Sequence, residues 1–386
     1  MSDNLNASEL LGLIDSVFCP AADERLLMIM VDLPDSVVVD DRAWAERRET
    51  ACEWARTIAA DSRYEVIFAA YRNPRMNNAD LPAGAWLLSP DALPPTADEL
   101  PECTQVAFEE IFARRPMILA PTEFSATAPL KMAARRHGFR GATMPGFCRQ
   151  MVDALRLDYA EVNRRVEMMA SLLDVATGAT FHFRVDGAAG AQPLEMKLFL
   201  DLRHRAAHRS GGRFPSPGQV GNLPSGEAYI VPYEGELPGD PSASAGMLPV
   251  QFGSEVVIFR IENNVAVEAS GEGPAAVAER ARLAAEPAYG NMAELGVGVL
   301  GDFGIKPLGE ILIDEKLGLH IAFGRSDHFG GQVGPARFSS PAAVVHIDRV
   351  YIPEMQPMVH VVRAALQFEG RPDVDLVRDD VPVFAF

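Results

Sequence analysis

The chain has 386 residues, of which 48% are hydrophobic and 23% are charged, so it can form a large folded core and two domains. Its formal net charge of −18 would repel a phosphate backbone, and we therefore expect no nucleic-acid partner. No apolar run reaches the roughly 18–20 residues that a membrane span needs, so we expect no membrane partner.

The N-terminal residues and the cysteines indicate the cellular compartment. The sequence begins MSDNLNASELL, which has neither the basic start nor the apolar stretch of a secretion signal. The cysteines are scattered and form no CxxC pair, which is typical of reduced thiols. They are Cys19, Cys52, Cys103 and Cys148. We therefore expect a cytoplasmic protein.

The first part of the chain alternates strand-like and helix-like segments. Apolar runs at 25–33, 64–71 and 115–120 predict buried strands. Helical composition at 40–61, and again at 125–138 before the stop at Gly138, predicts helices between and after them. This alternation predicts an α/β domain with a mostly parallel sheet, which we assign to residues 1–155. No GxGxxG or Walker sequence gives it a nucleotide role.

The remainder of the chain, residues 156–386, changes in character. A predicted helix at 157–176 joins the two parts, and a second helix is predicted at 273–287. The other segments are β-rich runs separated by Gly, Pro, Asn and Ser. These runs are ATFHFRV, EMKLFLDL, EAYIVPY, EVVIFRI and AAVVHIDRVYI. We predict an α+β, β-rich metal-binding domain.

Three residues in this second part point to a metal. His346 and Asp348 are two residues apart in a strand-like run, so their side chains share one face. His320 lies in another apolar run, LHIAFG. Imidazole and carboxylate together are typical ligands of divalent metals. The alternative is a hydrogen-bonded His–Asp pair and a core histidine with one partner.

Two carboxylates in apolar, glycine-rich surroundings extend this set. Glu227 follows the turn sequence NLPSG, and Glu294 precedes LGVGVLG. Burying an unpaired carboxylate is expensive, so such a residue is rarely only a surface charge. The five residues together predict a site for one or two divalent ions, of Zn, Mn, Co or Fe.

Two predicted loops carry further histidines and an aspartate. Asp327 and His328 stand at the edge of a loop that contains Gly330 and Gly331, where site residues are often found. The basic segment 203–213 carries His204 and His208 at helical spacing, but its glycines and arginines indicate a loop. Its positive charge is also suited to attracting an anionic substrate group.

The segments NLPSGEAYIVP, AELGVG, DEKLGLHIAFG and HID resemble the thermophilic leucyl-aminopeptidase family of two-metal metallopeptidases. The likeness covers roughly residues 150–352 and is clearest from 221 onward. It implies an α/β N-terminal domain, a C-terminal domain that holds two divalent metals, and a homodimer. The ligands that it implies are Glu227, Glu294 as the carboxylate toward the second metal, His320, His346 and Asp348.

The chain departs from this family at one position of the site. The family carries a tyrosine after its HIA strand, and here GRSDHFGG has Asp327 and His328 at that place. A phenol that can donate a hydrogen bond to an oxyanion is thus replaced by a carboxylate or an imidazole. We therefore predict Asp327 or His328 as a catalytic proton carrier or an extra ligand.

A second resemblance defines the main alternative. The 2,5-dihydroxypyridine 5,6-dioxygenases are similar to this family and hold one ferrous ion with two His and an Asp. In that branch a His takes the place of Glu294, and the counterpart of Glu227 is missing. Because this chain keeps both glutamates, the resemblance favours a hydrolase.

We predict a metal-dependent hydrolase of the aminopeptidase type, in which an activated water attacks an amide-like bond of a small molecule or short peptide. One alternative is a mononuclear Fe(II) ring-cleaving dioxygenase of the 2,5-dihydroxypyridine type. Another is a non-catalytic protein that binds a metal or a small acid. The sequence leaves the substrate, the metal, the number of ions, the general base and the oligomeric state open.

Overall fold

The structure is a computed structural model, and it describes residues 4–187 and 192–386. The α-helices are α1 (Ala7–Phe18), α2 (Arg42–Ala59), α3 (Phe108–Ala113), α4 (Thr127–His137), α5 (Val152–Leu155), α6 (Tyr159–Leu173), α7 (Pro274–Ala285) and α8 (Ile311–Asp314). The β-strands are β1 (Leu26–Leu33), β2 (Glu65–Arg72), β3 (Gly84–Leu87), β4 (Val106–Ala107), β5 (Met117–Ala120), β6 (Arg140–Thr143), β7 (Gly178–Val185), β8 (Leu194–Asp201), β9 (His208–Ser210), β10 (Val220–Asn222), β11 (Glu227–Ile230), β12 (Ala245–Phe252), β13 (Glu255–Glu262), β14 (Val265–Ser270), β15 (Met292–Gly298), β16 (Leu319–Gly324), β17 (His346–Tyr351), β18 (Val359–Gln367), β19 (Val374–Arg378) and β20 (Val381–Pro382).

The chain folds into two compact units. The first contains residues 1–163 and 210–225, and the second contains residues 164–209 and 226–386. The segment 210–225 therefore leaves the second half of the sequence and adds strand β10 to the sheet of the first unit. None of the helices in the described ranges is long and apolar enough to cross a membrane.

The first unit is an α/β layer structure around one sheet. The strand order is β10-β6-β5-β1-β2-β3-β4, and the strands from β10 to β2 run parallel. Strands β3 and β4 pair antiparallel at one edge. The predicted α/β class is confirmed. Strand β1 is buried along nearly its whole length, as expected of a strand in a parallel sheet that is covered on both faces.

Two helices of this unit begin at a side-chain cap, and a third ends at a glycine. Helix α1 starts with a capping box in which Asn6 and Glu9 bond each other's backbone amides. In α2 the Asp41 side chain accepts a hydrogen bond from the Trp44 amide, and the helix lies inside the predicted range 40–61. The left-handed Gly138 ends α4, as its position in the sequence predicts.

One buried carboxylate of the first unit holds a loop. Asp32, at the end of β1, accepts hydrogen bonds from the backbone amides of Glu123 (2.8 Å) and Phe124 (2.9 Å). The indole of Trp44 donates a third bond to it at 3.1 Å. Burial raises the pKa of Asp32 to about 6, although these three donors act in the opposite direction.

The second unit contains two sheets. The larger has the order β14-β13-β12-β8-β7-β18-β19-β20 and pairs antiparallel throughout its described contacts. Helix α7 packs against β14 and β13. The smaller sheet has the order β17-β16-β15-β11-β9, and its four longer strands are antiparallel. The metal-ligand candidates all belong to the smaller sheet.

Candidate metal centre

The register of the smaller sheet brings residues that are far apart in sequence into adjacent positions. Ala322 on β16 lies opposite Glu294 on β15 and opposite Asp348 on β17. Two residues further along β16, Gly324 lies opposite His346. Residues two apart in a strand share a face, so these carboxylates and this imidazole lie on one side of the sheet.

The next row of the same face contains His320. Gly296 on β15 lies opposite His320 on one side and opposite Tyr229 of β11 on the other. A Cβ atom at position 296 would lie 1.9 Å from Nε2 of His320, so only glycine fits beneath this imidazole. Glu227 precedes Tyr229 by two residues and shares its face.

The five predicted ligand residues therefore form two overlapping groups. One group is Glu227, Glu294 and His320, and the other is Glu294, His346 and Asp348. Within each group the candidate ligand atoms lie within 4.8 Å of one another. The sequence did not indicate this division, which follows from the position of Glu294 on the central strand.

The two carboxylate oxygens of Glu294 face different histidines. Oε1 lies 3.1 Å from Nε2 of His320, and Oε2 lies 3.4 Å from Nε2 of His346. The same nitrogen of His346 is 3.4 Å from Oδ1 of Asp348. Glu294 thus joins the two groups through one carboxylate.

The other nitrogens of both imidazoles are held by the backbone. Nδ1 of His346 lies 2.8 Å from the carbonyl oxygen of Arg325, and Nδ1 of His320 lies 3.4 Å from that of Gly318. A carbonyl accepts the Nδ1 proton and leaves Nε2 directed at the carboxylates. Metal-binding histidines are usually held in this way.

Glu227 supplies an oxygen that has no partner. Its Oε1 accepts a hydrogen bond from Nζ of Lys316 at 3.2 Å. Its Oε2 is buried, has no hydrogen-bond partner among the described residues, and lies 3.6 Å from Nε2 of His320. A buried, unpaired carboxylate oxygen beside an imidazole fits a divalent cation, so the donor set suits the predicted metal.

The charges of the site are strongly coupled. Burial alone would lower the pKa of His320, but Glu294 and Glu227 outweigh it and raise this pKa to about 9. The pKa of His346 is also raised, because Asp348 and Glu294 outweigh its burial. Burial would raise the pKa of Glu294, but hydrogen bonds from both histidines lower it. Without a cation, protons on the imidazoles therefore balance the carboxylates, and metal binding would release them.

Sequence reasoning missed a buried lysine beside the site. Lys316 is fully buried and contacts both Glu227 and Glu315. Burial, and then the charge of Glu227, raise the pKa of Glu315 to about 8. The sequence signal was the lysine of DEKLGLHIAFG, a charged residue immediately before an apolar strand.

The two predicted catalytic residues follow β16 in one short turn. Nε of Arg325 donates a hydrogen bond to Oδ1 of Asp327 at 2.6 Å, which ties this carboxylate to the loop. The ring of His328 lies edge-on to that of His346, with 5.5 Å between their centres. Burial, followed by the charges of His346 and Arg325, lowers the pKa of His328 to about 4. The structure thus places His328, and not Asp327, beside a ligand candidate.

A second residue that the sequence did not indicate, the carboxylate Glu234, anchors this loop. Glu234 accepts hydrogen bonds from the Ser326 hydroxyl at 2.6 Å, from the Gln332 amide and from the Asn291 side chain at 2.7 Å. Both ends of the turn that carries His328 are therefore attached to one buried side chain. Nothing near Glu234 in the sequence indicates this long-range role.

The basic segment 203–213 has a structural role. His204 lies 3.0 Å from a carboxylate oxygen of Asp240, whereas His208 stacks on Tyr229 with ring centres 5.0 Å apart, so the two histidines do not form a metal pair. The imidazole of His208 also contacts the carbonyl oxygen of Phe329 at 2.7 Å. Residues His208–Ser210 form strand β9.

Aromatic rings border the site between β11 and the loop. The ring centre of Phe329 lies 4.8 Å from that of Tyr229 and 5.6 Å from that of His346. Burial, and then the nearby charges of Glu294 and Glu227, raise the pKa of Tyr229 well above its usual value. The phenol is therefore protonated at neutral pH.

Two solved structures share this fold. The 2,5-dihydroxypyridine dioxygenase from Pseudomonas putida KT2440 matches 99% of this chain and 98% of its own, with a TM-score of 0.59 and 14% identity. Wild-type AmpT from Thermus thermophilus matches 98% of both chains, with a TM-score of 0.53 and 14% identity. At this identity the likeness shows the fold alone. No family model and no curated protein matches the chain.

Proposed function

We propose that this chain is a two-metal hydrolase that cleaves an amide-like bond in a small molecule or short peptide. The observation that carries the proposal is that the two carboxylate oxygens of Glu294 face different histidines. Oε1 faces His320, and Oε2 faces His346. A carboxylate in this position would offer one oxygen to each of two cations, the number that a two-metal hydrolytic site holds.

The remaining residues divide between two cation positions. Glu227, through its free Oε2, and His320 would hold one cation together with Glu294. His346 and Asp348 would hold the other. When bound, the two cations would lower the pKa of a water molecule and polarise the bond to be broken.

His328 is the side chain best placed to carry a proton. Its ring lies beside His346, and about a third of its side chain is exposed, so both the site and solvent are within its reach. A neutral imidazole can accept a proton from water and pass it to a leaving nitrogen. Asp327 would act indirectly, by fixing the turn through Arg325.

The second candidate is the mononuclear iron dioxygenase. It is favoured by His320, His346 and Asp348, because two histidines and one carboxylate are the ligand set of non-haem Fe(II) oxygenases. In that case Glu227 and Glu294 would be additional buried carboxylates with no role in binding the ion. The hydrolase uses all five residues, and we therefore prefer it.

The deciding experiment measures metal content and reaction class on the same preparation. Protein stripped with a chelator is reloaded with Zn, Mn, Co or Fe, and the bound metal is counted per chain by mass spectrometry. The loaded protein is assayed for cleavage of an aminoacyl-amide and dipeptide panel, and for oxygen uptake with dihydroxypyridines and Fe(II). Two ions with hydrolysis support the proposal. One iron with oxygen uptake, or binding without either reaction, overturns it.

A further inference from the structure

Tyr229 lies among the candidate ligands but is not itself one of them. It shares a strand face with Glu227, and the side-chain-free Gly296 separates it from His320 in the same row. The imidazole of His320 lies over Gly296, in the position that a side chain would otherwise fill, and Tyr229 follows on the neighbouring strand of the same row. A substrate atom bound on this face beside His320 and Glu227 would therefore lie near the phenol.

The ring of Tyr229 is held firmly. His208 stacks on it at 5.0 Å with an interplanar angle of 16°, and Phe329 packs edge-on at 4.8 Å. His208 is itself fixed through the carbonyl oxygen of Phe329. A ring held from two sides keeps its hydroxyl in one place, which is a requirement for a preorganised hydrogen-bond donor.

The hydroxyl of Tyr229 is free to bind something else. Among the described residues it makes no hydrogen bond, and the charges that act on it are those of the carboxylates Glu294, Glu227 and Glu315. A mostly buried tyrosine usually pairs its hydroxyl with a protein group. The other buried tyrosines of this unit follow that rule, since Tyr351 donates to the Pro249 carbonyl and Tyr289 to Glu279.

We propose that Tyr229 is a catalytic residue that donates a hydrogen bond to the substrate oxygen on which negative charge develops. This inference rests on the proposed hydrolase function. Tyr229 on strand β11 would then act together with His328, the proton carrier on the loop after β16.

Hydrolysis of the amide-like bond proceeds by addition of water and then loss of the amine. The oxygen of water forms a bond to the carbonyl carbon while its proton passes to a side chain of the site, and the carbonyl π pair moves onto the carbonyl oxygen. Tyr229 donates a hydrogen bond to that oxygen without transferring its proton. When the pair returns, the carbon–nitrogen bond breaks, and the nitrogen leaves with the proton that the water gave up.

The test compares Tyr229→Phe with Tyr351→Phe, which removes a phenol at the far end of β17. Loss of an oxyanion donor should lower kcat of Tyr229→Phe about a hundredfold, with KM and the metal count unchanged. Affinity for butylboronic acid, which mimics the tetrahedral adduct, should weaken by about tenfold or more when measured by titration calorimetry. Tyr351→Phe should change neither kcat nor this affinity.

The outcomes separate the two proposals. If the wild type binds two ions and hydrolyses the panel but Tyr229→Phe retains kcat and boronic-acid affinity, the role of Tyr229 is wrong while the hydrolase stands. If Tyr229→Phe loses metal along with kcat, the phenol has a structural role and the inference fails. If the wild type binds no second ion, the hydrolase itself fails.

Discussion

Nζ of Lys316 lies 3.2 Å from Oε1 of Glu227, and the lysine is fully buried while the glutamate side chain is 8% exposed. This ion pair occupies one oxygen of Glu227 and leaves the other toward His320. A buried cation next to carboxylates lowers the cost of gathering several negative charges in one place. It also restricts Glu227 to a single free oxygen for a metal.

Replacing Lys316 by Met should therefore destabilise the metal-free protein. We expect the free energy of unfolding to fall by about 3–5 kcal/mol, because Glu227 loses its buried partner. Adding Co²⁺ should recover more stability in the variant than in the wild type, since the bound cation replaces the lost charge. Urea unfolding followed by circular dichroism, with and without Co²⁺, measures both effects.

The matched control is the double variant Lys316→Met with Glu227→Gln. Removing both partners should cost less than the single change in the metal-free protein, since only Glu315 then loses its contact with the lysine. A single variant that loses under 1 kcal/mol would show that the lysine does not stabilise this carboxylate.

The shared carboxylate gives a prediction about metal stoichiometry. Glu227→Gln and His346→Gln each alter one ligand group, so each should leave one ion bound per chain. Glu294→Gln alters both groups and should weaken the binding of both ions. Mass-spectrometric metal counting on the three purified variants distinguishes these cases. If all three variants lose the same amount of bound metal, the site holds a single ion.

The sequence predicted the ligand candidates because each is a polar residue in an apolar or glycine-rich strand. His346 and Asp348 share a face by their spacing alone, and the family resemblance grouped them with Glu227, Glu294 and His320. Their division into two groups could not be predicted, since it depends on the register by which β15 lies between β11 and β16.

Other residues gave no local signal at all. Glu234 anchors a turn about ninety residues away, and Tyr229 stood in the sequence as an ordinary strand aromatic. The α/β order of the first unit followed from alternating periodicity, but the addition of β10 from the segment 210–225 did not. Contacts between distant segments are what periodicity and composition do not encode.

The first unit should show a pH dependence that is traceable to Asp32. Burial raises its pKa to about 6, whereas in the unfolded chain an aspartate titrates near 4. Between these two pKa values Asp32 keeps a proton in the folded state that it has lost in the unfolded chain. The free energy of unfolding should therefore fall as pH rises from about 4 to 6. The difference between the two pKa values corresponds to about 3 kcal/mol, and this stabilisation should be absent above pH 6.

The control for this effect is Asp32→Asn, which cannot titrate. It should be less stable by about 1–3 kcal/mol, because an amide nitrogen replaces one oxygen that accepts a backbone amide. All three tryptophans, at 44, 54 and 86, belong to this unit, so their fluorescence reports its unfolding. If the free energy of unfolding depends on pH in the same way in the wild type and in the variant, Asp32 is not the group responsible.

The neighbouring residues Asp327 and His328 have different environments and should respond differently to mutation. His328→Phe keeps a ring against His346 but removes both nitrogens, so we expect unchanged metal content and a kcat lowered about 10²–10⁴-fold. Asp327→Asn keeps an oxygen that accepts the Arg325 bond and should change kcat less than tenfold. Steady-state kinetics with metal analysis on both variants separates proton transfer from loop structure. A wild type that cleaves leucyl substrates rapidly, together with a fully active His328→Phe variant, would show that the imidazole takes no part in the reaction.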